Sequence, residues 1–567
     1  MRGITLCLLA LSLGCTGGSL STGAPDASRA PDTSRDADST DEDTSTGPDA
    51  PGATDVGSGD ASPDASVDAG EVEPDAGGPV VVLRERKAFP TAQGYGASAT
   101  GGRGGDVLYV TTTEDTGEEG SLRWALKQEG PRVVYFMVGG LFEMDSLMYV
   151  TSGDLTIAGE TAHDLGGVHI GFSPEATDCR LYFAGIRNLI VRYISVEACW
   201  RDWEEGGDRR NPMSMPSVHQ VIVDHYTGGW GSYTGGSISK INAEVGRGGM
   251  ATTQRSLLHE GVAGHNVGGV GGIQMDYVRG SFEPDEHARM WAAWDGFSNH
   301  HNAFIGLTHR FFNTSGNGEV ADQAYNNYVY GWNSRMSRHT NGNQPIDIYR
   351  NVYEAAPYNA RVSFEYMHMF DHNDFYNLDP PVPVSPNFLI EENLVLDRAG
   401  EVFMAPSDDN WPMLRHFDDS PKGLQREGVS DATRRRTFTL QAADPDTLTP
   451  TLEVKDDVLS HCGAGVRYDA DGVPTNVDPV EVRYLTWARD RTGPDFTSRS
   501  PGDGGLGDSS TFVFPDYPSQ TRSPDTLDAE GVPLGWDLPS DVVNDAGYSR
   551  LELYLAQIAG DFHVLRR

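Results

Sequence analysis

The chain has 567 residues, with 43 Lys and Arg against 82 Asp and Glu, for a formal net charge of -39. That excess of acid leaves no basic face to neutralise phosphates and argues against a nucleic-acid partner. An anionic ligand would have to be met by local arginine or lysine, or by a bound cation.

Met1-Arg2-Gly3 precedes an apolar run from Ile4 to Leu13, followed by Gly14-Cys15. A run of about ten residues is too short to cross a hydrocarbon core of roughly 30 Å as a helix. A basic start, a short apolar core and small residues fit an export signal. Leu11-Ser12-Leu13-Gly14-Cys15 resembles a bacterial lipobox, which implies lipidation of Cys15; that pattern has Leu where this chain has Ser12. Residues 1–15 are thus expected to be signal and lipobox, with an ordinary cleaved signal as the alternative. The protein is then an outer-membrane or cell-surface lipoprotein, or secreted, touching the membrane only through its N-terminal lipid. Residues 16–80 hold fifteen acids, Arg29 and Arg35 as the bases, and no aromatic residue. Ala, Pro, Ser, Thr and Gly with so little to bury read as a disordered, self-repelling tether.

Residues 88–185 are glycine-rich strand-and-turn sequence. Asp106–Thr112, Val133–Val138 and Leu155–Ala158 read as strands, and Ser121–Lys127 as a short helix. From residue 188 onward, apolar and polar residues alternate, an Asn or His follows, and the pattern repeats. Asn302, Asn327, Asn351, Asn373 and Asn393 align with one another across these repeats. A repeat of some 20–25 residues with short strands is the signature of a solenoid. Alternation with asparagine at equivalent turns points to a parallel β-helix over residues 81–400, because the 3.6-residue period of an α-solenoid is missing. Residues 401–567 are richer in Pro, Asp and Arg and form an irregular C-terminal extension. It is expected to pack on the β-helix, as a cap over the last coil, a small packed tail or a wall of the cleft, with the cap favoured because a solenoid needs polar caps on its open ends, and its Ser549–Ile558 segment reads as a helix. Cys179 and Cys199 are close enough in sequence to pair in an exported protein, and Cys462 stands apart. Nothing points to an oligomer, so a monomer is expected.

Several stretches carry a family likeness. Ala88-Phe89-Pro90, Gly94-Tyr95-Gly96, Thr100-Gly101-Gly102-Arg103-Gly104-Gly105, Gly120-Ser121-Leu122-Arg123-Trp124-Ala125-Leu126, Thr156-Ile157-Ala158-Gly159-Glu160-Thr161 and Val223-Asp224-His225 occur in this order. The series resembles the pectate lyase family of polysaccharide lyases from about residue 85 to 400. The resemblance implies a right-handed parallel β-helix and β-elimination on a uronate polymer such as pectate. Elimination needs a base at the C5 proton and a cation on the uronate carboxylate; the family's usual cation is Ca²⁺. His300-His301-Asn302, with Arg310 further on, matches the motif whose Arg serves as base, so Arg310 is the candidate catalytic residue. Just beyond, Phe311, Phe312 and Asn313 replace the Pro and second Arg of the family. Where the family has paired calcium aspartates, this chain has Arg209 and Asn211, and Tyr233 and Thr234 replace later acids.

Asp202 and Asp208, with Glu204 and Glu205, crowd the loop Cys199–Arg210, and Asp224 falls on a family position. These three aspartates are the candidate metal ligands. Arg209 and Arg210 are alternatives that would clamp the carboxylate as bidentate forks. Trp200, Trp203 and Trp230 are candidate platforms for sugar rings, and His301 is a further candidate substrate contact that also fits a wall position. Polygalacturonase-type hydrolysis finds no support, because its Gly-His-Gly and Arg-Ile-Lys tripeptides do not occur. The alternative to a lyase is a degenerate β-helix that binds acidic polysaccharide, or one that is purely structural.

Overall fold

The computed structural model describes residues 80–197, 212–215, 218–230, 238–241, 249–259, 265–268, 294–307, 311–315, 322–332, 336–340, 345–358, 364, 367–371, 387–417, 434, 448–493 and 514–566. Strands of two to seven residues cannot each carry a hydrophobic face large enough to stand alone, so they stack. From Arg132–Phe136 to Leu394–Leu396, the described strands go in turn to each of three long sheets, always in the same sequence. A representative coil runs His219–Asp224 in the first sheet, Thr227–Gly229 in the second and Ile238–Ile241 in the third. Neighbouring strands within the three sheets are parallel until Val402–Met404 turns back antiparallel on Leu394–Leu396 and closes the second sheet. The chain is therefore an all-β parallel β-helix.

Alternation along the strands fills the interior. In the first sheet Val221 and Val223 point inward to join Met213, Leu258, Phe297, Phe304 and Phe312 in one continuous core. Ile190 and Ile222, from the same sheet, point outward and lie under Ala88, Phe89, Ala92 and Ala99. This explains the glycines of the N-terminal motif: a Cβ at Gly96 would come within 2.0 Å of the Val221 carbonyl oxygen, and one at Gly102 within 1.8 Å of the Arg132 oxygen. The segment lies flat on the sheet because it has no side chains there.

The turn from the first sheet to the second uses one left-handed residue per coil. Tyr193, His225, Arg255, His301, Asn326, Arg350 and Glu392 all have φ between 49° and 55°. A non-glycine residue there costs on the order of 1 kcal/mol, and the following residue offsets it. Asn302 N–H donates to Asn327 Oδ1 at 3.1 Å, Asn327 to Asn351 at 3.0 Å, Asn351 to Asn393 at 2.9 Å and Asn393 to Asn410 at 2.6 Å. The ladder thus passes directly from Asn351 to Asn393, a separation of 42 residues, and Asn373 is not its intervening rung. Asn373 follows the third-sheet strand His368–Asp371 rather than a first-sheet strand, so its likeness to the ladder positions was local only; Asn373 itself lies outside the described residues.

Asn327 is fully buried, and its amide nitrogen also donates to the Asn299 carbonyl at 2.8 Å. Replacing Asn327 with leucine leaves the Asn302 N–H and the Asn299 oxygen without that amide, at about 1–3 kcal/mol for each. The denaturant midpoint of Asn327→Leu is therefore expected to fall clearly below that of the parent. An unchanged midpoint would show that the ladder is ornamental.

The short helices follow their caps. Leu122–Lys127 starts at Ser121, whose side chain accepts from Trp124 N. Arg550–Ile558 starts at Ser549, which forms a reciprocal capping box with Glu552. Leu555 of this helix packs on Val133 and Ala158 of the first sheet. Helices Val454–His461 and Pro479–Asp490 cover the second sheet, placing Val458, Tyr484 and Leu485 against Leu257, Ile305 and Tyr328. In the C-terminal region the described helices lie along the flanks of the coils, while Val402–Met404 and Leu414–Phe417 still belong to the second and third sheets at the end of the stack. The physical reason is the outward-facing apolar residues of the first two sheets, which need covering along their length. Val81–Leu83 pairs in parallel with Val542–Asn544, which ties the start of the described chain to its end.

Candidate functional site

Of the candidate site residues, Asp224, Trp230 and His301 lie among the described ones. The chain leaves the second sheet at Glu197, Gly229 and Ile305 and enters the third sheet at Met213, Ile238 and Phe312. Met213 pairs with Ile238, Ile238 with His265 and His265 with Phe312, so these third-sheet strands begin in register on successive coils. The connection 198–212 carries Trp200, Asp202, Trp203, Asp208, Arg209 and Arg210, and Arg310 lies just ahead of Phe312. These residues fall outside the described ones. From Met213 to Phe312 there are three strand steps, about 14 Å.

Trp230 lies at the exit from the second sheet and is 5% exposed, so its ring is buried. Asp224 and His301 do not join it. Both stand at the turn between the first and second sheets. His301 is 4% exposed, lies 3.2 Å from Thr449 Oγ1 through Nε2, and shares a 2.9 Å contact with His300 through Nδ1. Burial, helped by Arg255, lowers its pKa to about 4, so it is neutral in ordinary conditions. It is a wall residue beneath the C-terminal region.

Asp224 is fully buried, and both carboxylate oxygens are engaged. Arg192 Nε donates to Oδ2 at 2.8 Å, Gln254 Nε2 donates to Oδ1 at 2.9 Å, and His225 Nδ1 lies 3.0 Å from Oδ2. Burial pushes its pKa up, but His225, Arg192 and Gln254 outweigh this and hold it well below the usual carboxylate range. Arg192 also donates to Asp561 Oδ1 at 2.9 Å, lies 3.7 Å from Glu160 and sits 3.7 Å above the Phe89 ring. Burial raises Glu160 to about 7 in spite of Arg192. The quoted motifs around Phe89, Glu160 and Asp224 therefore converge on one buried guanidinium, and they build scaffold. Arg192 and Asp561 carry no sign of this role in the sequence, because partners 369 residues apart leave no local signal.

A second buried polar group lies outside the second sheet. Glu197 Oε1 is 2.9 Å from His259 Nε2, and the His259 ring stacks on Tyr484 at 3.9 Å. Glu481 accepts from Thr227 Oγ1 at 2.6 Å and from Gly465 N–H at 3.0 Å; burial and then Asp478 raise its pKa to about 8. Both groups fasten the C-terminal cover to the second sheet.

Among the described residues, the apolar clusters that attach covering segments involve the first and second sheets and include no third-sheet residue. Among the described residues no group of three or more His, Cys, Asp or Glu is arranged to hold a metal ion. Cys179 is disulfide-bonded, and Cys199 lies outside the described residues. Cys462 is a free, buried thiol.

No family model matches the chain. It is 30% identical over 307 residues to "Probable pectate lyase C" of Emericella nidulans, which covers 53% of this chain and 62% of that one. It is 28% identical over 299 residues to "Probable pectate lyase C" of Aspergillus flavus, covering 52% and 61%. The chain thus spans about three-fifths of the length of these relatives. Among solved structures, the major allergen of cedar pollen aligns at a TM-score of 0.39 and 13% identity, over 66% of this chain and 92% of that one. Pectate lyase II from Xanthomonas campestris aligns at 0.35 and 14% identity, over 66% and 98%.

Proposed function

We propose that this protein is a polysaccharide lyase that cleaves a uronate-containing polymer such as pectate by β-elimination. The observation that carries the reading is the sequence similarity to probable pectate lyases, found on a chain folded as a parallel β-helix. In the reaction, Arg310 takes the proton from C5 of a uronate. The electron pair forms the C4–C5 double bond, the C4–O bond breaks, and the leaving oxygen is protonated as the new reducing end. A guanidinium is an unwilling base, with a pKa above 12 in water, so the site must favour its neutral form and the reaction is expected to run fastest at alkaline pH.

The substrate carboxylate needs a counter-charge as negative charge builds at C5. Asp224 does not fit calcium, because Arg192 and Gln254 already occupy its oxygens. At the positions of the family's paired aspartates stand Arg209 and Asn211. Arg209 and Arg210 are therefore assigned as the carboxylate clamp, and Trp200 and Trp203 as its neighbours against the sugar rings. Calcium held by Asp202 and Asp208 is the second reading, favoured by the acids crowded between residues 202 and 208. Export behind the signal at 1–15, lipidation at Cys15, the tether 16–80, the β-helix 81–400 with its extension 401–567, and a monomeric state belong to the same proposal. The test is release of unsaturated product from polygalacturonate by the full chain, read as absorbance at about 230–235 nm.

A further inference from the structure

A cavity of about 520 Å³ lies where the C-terminal cover meets the short segment Gly159–Leu165. That segment carries the chain from Leu155–Ala158 in the first sheet to Val168–Phe172 in the second. The coil supplies Thr161 and His163 to the wall, and the cover supplies Arg467, Arg522, Tyr554 and Gln557. Such a space holds a small ligand, and its wall combines aromatic surface with several polar groups.

Arg467 is the unusual member of this wall. Its Nε donates to the His163 oxygen at 3.5 Å, and its Nη1 to those of Ala464 and Val466 at 2.8 Å. Among the described residues Nη2 has no hydrogen-bond partner, and the guanidinium has no carboxylate in ion-pair range. Arg192, Arg123 and Arg522 are matched by Asp224, Asp115 and Asp164. Arg132 makes no ion pair among the described residues either, but all three of its nitrogens donate to backbone oxygens. Burial pushes the Arg467 pKa down to about 10, as expected of a cation whose lost hydration is not replaced. The chain holds 82 acids, so the missing partner is not for want of carboxylates. The acids that share the cavity are otherwise engaged. Asp164 accepts from Arg522, and Asp469 Oδ1 accepts from the N–H groups of Asp471 and Val473 at 2.9 Å. Burial raises Glu160 to about 7, toward its neutral form.

We propose that this cavity binds a small uronate saccharide, with Arg467 Nη2 donating to its carboxylate. A guanidinium with an open N–H edge is the group that matches a carboxylate best. Gln557 Oε1 accepts from Trp536 Nε1 at 2.9 Å, which leaves its amide N–H groups for ring hydroxyls. Arg467 belongs to the hairpin of Val466–Tyr468 and Pro474–Asn476 in the cover, whereas Thr161 and His163 belong to the coil. A bound saccharide therefore ties the cover to the coil. The site adjoins the passage from the first sheet to the second, whereas Arg310 precedes the third-sheet strand Phe312–Ser315. The choice of a uronate rests on the lyase reading, whose products carry that group; the oxyanion site itself does not.

The experiment titrates the full chain with galacturonate by calorimetry. This monomer has no glycosidic bond to break, so binding is read without turnover. Saturable binding is expected, together with a thermal midpoint that rises as galacturonate is added. The methyl ester of galacturonate, equal in shape but uncharged, is expected to bind at least about tenfold more weakly, and Arg467→Gln to weaken galacturonate binding about ten- to hundredfold. Arg209→Gln combined with Arg210→Gln is expected to leave this binding unchanged, which separates it from the proposed clamp. No binding, equal affinity for acid and ester, or an unchanged affinity in Arg467→Gln overturns the site. Tighter binding of inorganic phosphate than of galacturonate overturns the uronate assignment. The comparison of acid with ester needs the parent chain alone, so it decides the matter even where Arg467→Gln does not fold. Galacturonate binding as expected, without release of unsaturated product from polygalacturonate, would sink the lyase reading and leave this site standing.

Discussion

Arg310→Ala is expected to lower the rate of unsaturated-product release from polygalacturonate by about 10²–10⁴-fold, the usual contribution of a positioned general base. Binding of the polymer is expected to survive, because the proposed clamp at Arg209 and Arg210 is untouched. The contrast is the point of the experiment. A protein that only binds acidic polysaccharide shows no turnover before or after the change, and a structural β-helix shows neither turnover nor binding. Retention of the full rate in Arg310→Ala would assign the base elsewhere and break the link drawn from His300-His301-Asn302 to Arg310.

Arg192→Met is expected to destabilise the folded chain by about 3–5 kcal/mol, because it leaves buried carboxylates without their cation. Asp224 loses its 2.8 Å partner and Asp561 its 2.9 Å partner, and the Phe89 ring loses the guanidinium beneath it. The pH dependence follows from the signs. In the parent, Asp224 is held below its ordinary range, so its stabilising effect is present at neutral pH and is lost as the pH falls through that depressed value. In Arg192→Met the same carboxylate is buried without its cation, its pKa rises, and protonation at mildly acid pH relieves the variant. The stability gap between parent and variant is therefore widest near neutrality and narrows toward pH 4–5, roughly the ordinary carboxylate range. Urea unfolding followed by tryptophan fluorescence at several pH values measures it. A gap that is small or independent of pH would mean that Arg192 is not the charge at the centre of the network.

Much of the scaffold was legible in the chain because its signals are local. Alternation over four to six residues marks a strand, and an asparagine after a turn marks a ladder rung. Ser121 and Ser549, each followed by a helical run, mark helix starts, and both are caps in the structure. Asn373 misled because the local pattern does not say which of the three sheets a strand joins. The glycines from Gly94 to Gly105 could be recognised as a motif, but their reason, a chain lying on the first sheet, needs Val221 and Arg132 from distant coils.

The site was less legible for the same reason. Asp224 and His301 looked like functional residues because they belong to quoted motifs, yet their partners, Arg192 and Thr449, show that they hold the wall.

The most direct test of the central claim is incubation of the full chain with polygalacturonate at pH of about 7 to 10, with and without a calcium chelator, while absorbance at about 230–235 nm is recorded. Elimination with an arginine clamp predicts a steady rise that grows with pH and continues in the chelator. A rise that stops in the chelator would transfer the clamp from Arg209 and Arg210 to a metal held by Asp202 and Asp208. No rise on polygalacturonate or methylated pectin under any of these conditions would contradict the account and leave a β-helix that kept the scaffold without the chemistry.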